Sequence, residues 1–218
     1  MLKLIKKNIL AWKIFSFFLR INYSFFWKIR KIEKYKKENY AKIYFEDKLF
    51  LKFFRGKKNK LRILELGCGI GLRLFNLKKN KPKFKIEGVD LSKNSIISAR
   101  NHNNTVNADI KFTIADIENL KLVKDIDYII SSFTLIYVKK KNLINFLNLN
   151  KKKIKKGFIF LEYNSFNKSK NLSYYVHNFK NIFKESKMSD FKVEFKKIKY
   201  KRWIKQDHQA YQIIGTKK

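Results

Sequence analysis

Nine residues restrict this chain more than any others: Ile63-Leu64-Glu65-Leu66-Gly67-Cys68-Gly69-Ile70-Gly71. An apolar run carrying one acid reads as a buried strand, and the G-x-G-x-G that follows opens a helix from Leu72. Glycines at 67, 69 and 71 permit positive φ and let a ligand lie directly against the backbone. Amides at a helix N-terminus favour a carboxylate or another anionic group. A dinucleotide fingerprint would read G-x-G-x-x-G, but Leu72 follows Gly71, so a pyrophosphate has the weaker claim. Glu65 sets an acid where the amine of a cationic ligand could be received.

Downstream, short apolar runs alternate with helix-like stretches, the pattern of βαβ units and a parallel sheet. Strands are predicted at 62–66, 84–89, 110–114, 127–132, 158–163, 191–198 and 209–216. Helices are predicted at 72–78, 93–103, 141–153 and 176–185. The first, second, fourth and fifth runs are apolar on both faces, as strands covered by helices require. The last two have no helix between them, so an antiparallel hairpin should close the sheet. Residues 1–60 read as a basic, aromatic-rich helical extension, and 61–218 as the ligand-binding domain.

Two further acids fall where a nucleoside would need them. Asp90 in Gly88-Val89-Asp90-Leu91-Ser92 ends the second strand and can accept both hydroxyls of a ribose. Asp116 in Ala115-Asp116-Ile117 follows the third strand, placed for an adenine amino group, with Ile117 against the ring. Ser131 and Ser132 emerge at the carboxyl edge of the fourth strand, where open α/β sheets bind ligands. With ELGCGIG, GVDLS and ADIENL in this order, residues 61–163 resemble the class I S-adenosylmethionine-dependent methyltransferases.

That resemblance implies a three-layer α/β, Rossmann-like fold: a seven-stranded, mostly parallel sheet with an antiparallel C-terminal hairpin. It implies an enzyme of class EC 2.1.1.- that uses S-adenosylmethionine. Glu65, Gly67 and Gly69 would hold the methionine part, Asp90 the ribose, and Asp116 with Ile117 the adenine. Cys68, Gly71 and Leu91 belong to the same cofactor-binding set, and Ser132 and Phe133 would border the methyl group and the acceptor. A weaker similarity, carried by residues 134–138, 160–164 and 175–178, is to methyltransferases of surface-polysaccharide and sugar genes. It departs at the Lys-rich run 151–156, where glycine and proline are usual.

A hydroxyl acceptor would need a base within hydrogen-bond reach. His177 is the first candidate, with Glu162 and Tyr137 behind it, and packing against backbone is the competing role for His177. His102 and His208 read as surface residues, and Tyr40 and Tyr44 as core aromatics that could cap the cofactor. One cysteine and three scattered histidines give no disulfide and no metal-ligand spacing. A reducing, cytoplasmic setting fits.

The acceptor class depends on how the net charge of +35 is read. Only seven of the 52 basic residues are Arg, as AT-rich codons would produce. Yet residues 1–60 and 139–218 carry +14 and +17, against +4 for 61–138. A small molecule or sugar, as in surface-glycan tailoring, is the first reading. RNA gripped by the basic flanks is the alternative. The apolar segments 14–19 and 21–27 are broken by Arg20 and too short to span a bilayer. Peripheral contact with an anionic membrane at the inner face stays open for them. Oligomeric state is not legible.

Overall fold

The structure, a computed structural model, describes residues 40, 42–58, 60–165, 175–200 and 209–218. Segments 14–19 and 21–27, most of the expected extension, and His208 lie outside the described residues. The strands are β1 Arg62–Leu66, β2 Lys85–Asp90, β3 Ile110–Ile114, β4 Ile126–Ser132, β5 Ile154–Asn164, β6 Phe191–Ile198 and β7 Gln209–Lys217. They form one sheet in the order β3-β2-β1-β4-β5-β7-β6. The first five strands pair in parallel, and β7 runs antiparallel to both β5 and β6.

Alternation of side chains along each strand builds two cores. Ile63, Ile130 and Ile159 point to one face, beneath α1 Phe45–Phe54, α2 Leu72–Asn80 and α3 Lys93–Val106. Leu64, Ile129 and Phe158 point to the other, beneath α4 Lys140–Asn150 and α5 Phe179–Glu185. Each such side chain taken out of water stabilises the fold by roughly 1.5–3 kcal/mol. Within the expected extension, α1 packs on the first core. Its Phe54 meets Phe84 and Tyr128 edge-on, with ring centroids 5.7 and 5.6 Å away.

Three of the boundaries that differ from expectation have a local reason. β5 starts at Ile154 because Ile154 is buried while Lys155 and Lys156 reach solvent. The helix predicted over 141–153 is α-helical only to Asn150 and ends in a 3-10 turn, Lys151–Lys153. α5 begins at Phe179, not at Val176, since the Asn178 side chain caps it by accepting from Asn181 N. His177 is therefore not helical but extended, bridged in parallel to Asn164. Among the described residues no helix is long and apolar enough to cross a membrane.

Candidate active site

β1 lies between β2 and β4, so the chain's crossovers diverge at its carboxyl end and leave a crevice there. The glycine loop fills that position, with φ of 67°, 55° and 81° at Gly67, Gly69 and Gly71. Gly67 N and Cys68 N donate to Val89 O at 2.8 and 3.0 Å, which fastens the loop to β2. A Cβ on Gly67 would collide with the Thr134 side chain, whereas nothing lies within 4 Å of a Cβ on Gly69. Gly69 thus offers bare backbone to a ligand. Cys68 contributes its backbone only: its thiol is buried over Gly88, and burial pushes its pKa well up.

Of the two acids expected at a nucleoside, Asp90 meets this loop directly. Asp90 Oδ2 accepts from Gly69 N at 2.8 Å, and Oδ1 accepts from Ser92 N at 2.8 Å. A carboxylate has about four lone-pair sites, so acceptor capacity remains for a pair of hydroxyls. Burial raises the Asp90 pKa, while the amides of Ser92, Gly69 and Leu91 pull it down. Ala115 N donates to Asp90 O at 3.0 Å, carrying the link to the end of β3. There Asp116 caps a 3-10 turn, Ile117–Asn119, by accepting from Glu118 N, and Ile117 is buried against the second core. These residues fit an adenosyl compound: bare backbone at Gly69, acids beside it, and an apolar floor.

Glu65 differs from the simplest expectation. It is fully buried, and its Oε1 meets the guanidinium of Arg73, a cation the chain itself supplies. Arg73 Nε lies 3.4 Å from Asp47 of α1, so one side chain ties that helix to β1. Asp47 also accepts from Asn76 Nδ2 at 2.9 Å and from Tyr44 N at 3.0 Å. Burial pushes the Glu65 carboxyl up to about 7, with Arg73 opposing it, and Glu65 Oε2 is buried without a hydrogen bond. Above the loop, Tyr40 donates to Ile70 O at 3.3 Å and stacks on His102, centroids 3.6 Å apart. His102 is accordingly half-buried, and burial lowers its pKa.

The side where the sequence reading puts the acceptor is built from β4 and β5. Ser132 is followed by Phe133 at φ 50°, an unusual conformation for a bulky side chain. Phe133 stacks on Tyr200 at 4.4 Å and leans on Tyr163 at 5.0 Å. Tyr200 in turn donates to Glu46 Oε1 at 2.6 Å.

Two of the three candidate bases are committed to this scaffold. Glu162 is fully buried, and its Oε1 accepts from Ser131 Oγ, Thr134 N and Leu135 N at 3.1, 3.0 and 3.0 Å. His177, 4% exposed, sets Nε2 2.9 Å from Leu135 O, and burial lowers its pKa. Tyr137 ends the 3-10 turn Leu135–Tyr137 and is half-buried. Among the described residues no cluster of His, Cys, Asp and Glu could hold a metal ion.

Arg73, Asp47, Glu46 and Tyr200 were not anticipated. For Arg73 a signal existed, since each of the seven Arg in a chain that mostly uses Lys is a candidate for a place where a planar, two-handed cation is needed.

Residues 57–213 match the family described as a methyltransferase domain. Malonyl-[acyl-carrier protein] O-methyltransferase of Bacillus cereus is 36% identical over 95 residues, 41% of this chain and 35% of that protein. The corresponding enzyme 1 of Ilyobacter polytropus is 31% identical over 103 residues, 46% of this chain and 38% of that protein. The chain therefore spans little more than a third of the length of these relatives. Magnesium protoporphyrin IX methyltransferase from Synechocystis, solved with bound S-adenosylmethionine, shares the fold. Its TM-score is 0.69 at 12% identity, over 91% of this chain and 97% of that one. An S-adenosylmethionine-dependent methyltransferase from Clostridium acetobutylicum gives 0.59 at 16% identity, over 84% and 92%.

Proposed function

The chain belongs to the methyltransferase-domain family, a Rossmann-like and S-adenosylmethionine-dependent class of enzymes (EC 2.1.1.-), and from that premise we propose that it methylates an oxygen of a small-molecule acceptor that arrives already deprotonated, a carboxylate foremost. The observation that carries the reading is the joining of the glycine loop to both acid-bearing strand ends: Gly69 N donates to the Asp90 carboxylate, and Ala115 N, next to Asp116, donates to Asp90 O. In this reading Gly67 and Gly69 face the methionine part, with Glu65 buried behind them on Arg73, Asp90 with Leu91 the ribose, and Asp116 with Ile117 the adenine.

S-adenosylmethionine supplies, when bound, a methyl group already activated on a sulfonium. The protein's task is then alignment, which can contribute up to about 7–11 kcal/mol. Gly69 N and Ser92 N fix the Asp90 carboxylate, so its free lone pairs are directed before a hydroxyl pair arrives. Thr134 Oγ1 donates to Gly67 O at 3.4 Å, joining the cofactor loop to the acceptor wall. A sugar hydroxyl would need a proton removed at the moment of transfer. Glu162 and His177 are turned into backbone instead, whereas a carboxylate needs no base. The curated relatives are named as O-methyltransferases of a malonyl group on acyl carrier protein, which agrees with an acid acceptor. A basic surface of this magnitude would also favour an anionic carrier.

The test is labelled-methyl transfer from S-adenosylmethionine to four acceptors: malonyl thioester on acyl carrier protein, a free dicarboxylate monothioester, a sugar panel and total RNA. Label in the carboxylate arms, removable by mild base as an ester, supports the reading. Label confined to the sugars or the RNA would replace it with one of the readings drawn from sequence.

A further inference from the structure

We propose that Glu162 is a positioning residue that holds the acceptor-side wall in its reactive shape by clamping the loop after β4 through a single carboxylate oxygen. The inference rests on the methyltransferase reading for its consequence, and on geometry for its substance. Glu162 lies on β5, one residue beyond Leu161, the partner of Ser132 at the end of β4, and none of its surface reaches solvent. Its Oε1 receives three donors, two of them backbone amides of consecutive residues, Thr134 and Leu135. Those amides immediately follow Phe133.

A phenylalanine at positive φ is costly and persists only where its surroundings enforce it. Phe133 N donates to Leu161 O at 2.8 Å, directly before Glu162 in β5, and the Glu162 carboxylate holds the two residues after Phe133. The turn is thus gripped on both sides by adjacent residues of one strand. The grip extends further: Thr134 reaches Gly67 of the cofactor loop, and Tyr175 N donates to Ile136 O at 2.7 Å. Glu162 consequently sets where the Phe133 ring stands relative to Gly67, and so the distance between acceptor and methyl group. The other oxygen, Oε2, is buried with no hydrogen bond, so an amide nitrogen in its place breaks no existing bond.

That asymmetry separates positioning from base catalysis. Glu162→Gln keeps the accepting oxygen and removes the ability to take a proton, while Glu162→Ala removes the clamp. Three readouts apply to both variants: amide hydrogen exchange at Thr134 and Leu135, S-adenosylmethionine affinity by calorimetry, and labelled-methyl transfer to whole-cell extract. The proposal expects Glu162→Ala to speed exchange at both amides by about tenfold or more, a local opening, with cofactor affinity nearly unchanged. Transfer should fall on the order of a hundredfold, the effect of about an ångström of misplacement. Glu162→Gln should restore slow exchange and most of the transfer. A Gln variant with slow exchange but no transfer would make Glu162 the base and overturn the proposal. Unchanged exchange and transfer in Glu162→Ala would overturn it equally. Should the Ala variant not fold, the Gln variant decides alone. Exchange needs no turnover, so an inactive wild-type protein would count against the methyltransferase reading and leave the clamp still testable.

Discussion

At the residue scale the site divides into groups that a ligand would touch and groups that hold them. The proposed reading puts Asp90 in the first. Asp90→Ala should weaken S-adenosylmethionine binding by about 1–3 kcal/mol in calorimetry while the thermal transition persists, and unchanged affinity would refute the ribose assignment. The glycines separate in the same way. Gly67→Ala forces a Cβ into Thr134 and should destabilise the fold, whereas Gly69→Ala meets open space. The Gly69 variant should lose only about 1–2 kcal/mol of stability, for an L residue at positive φ, yet bind the cofactor poorly because the methyl occupies the ligand's face. Paired melting and binding curves check this contrast. Glycine loop and acids were legible because each sits in one short run that shows both backbone freedom and acceptor. Tyr200 with Glu46 was not, since 154 residues separate partners that only the folded sheet brings together.

At the scale of elements the question is what fastens one piece to the next. α1 is joined to β1 through Asp47, Arg73 and Glu65, two buried acids sharing one guanidinium. Arg73→Met leaves both acids buried without a cation, and the denaturant midpoint should fall as expected for a loss of about 3–5 kcal/mol. Arg73→Lys should fall between, because one ammonium does not reproduce the two-handed fork. Equal stability of the Met variant would show that α1 is held by its other contacts, Phe50 and Phe54 and the bonds to Asn76 and Tyr200. The β4–β5 clamp has a pH signature of its own. Burial raises the Glu162 carboxyl from 4.5 to about 7 in the folded protein. The unfolded chain therefore ionises first as pH rises, and wild type should lose stability relative to Glu162→Gln between pH 4.5 and about 7, then level off. The difference should be on the order of 3 kcal/mol in urea titrations across that range, and a flat difference would deny the shift. Strand positions were readable from apolar runs because burial on both faces leaves no other pattern. The starts of β5 and α5 were not. Lysines at the exposed end of a strand look like loop, and Asn178 as a cap ends what hydrophobicity alone would extend.

For the whole molecule, the distribution of charge sets two substrates apart. Six of the fourteen described acids lie on the elements that frame the crevice, Glu46, Asp47, Glu65 and Glu162 buried and Asp90 and Asp116 half-buried, in a chain of net charge +35. A cationic cofactor thus approaches through a repelling outer field and is received by a locally acidic site, while an anionic acceptor is drawn in from a distance. Salt acts mainly on the long-range part, because the Debye length falls from about 14 Å at 0.05 M to under about 6 Å at 0.3 M, and contacts inside the crevice are screened much less. Raising salt over that interval should therefore leave the S-adenosylmethionine dissociation constant flat or slightly lower. The same change should raise the apparent KM for an acid acceptor on an anionic carrier several-fold, by slowing encounter. A neutral sugar would show no such slope, and RNA would show one far steeper, since each phosphate contact releases a counterion. Calorimetry of the cofactor and initial rates with each acceptor at the two salt concentrations separate these cases. If cofactor and acceptor weaken together, the charge is serving neither as a guide nor as a barrier, and the lysines are then a matter of composition alone.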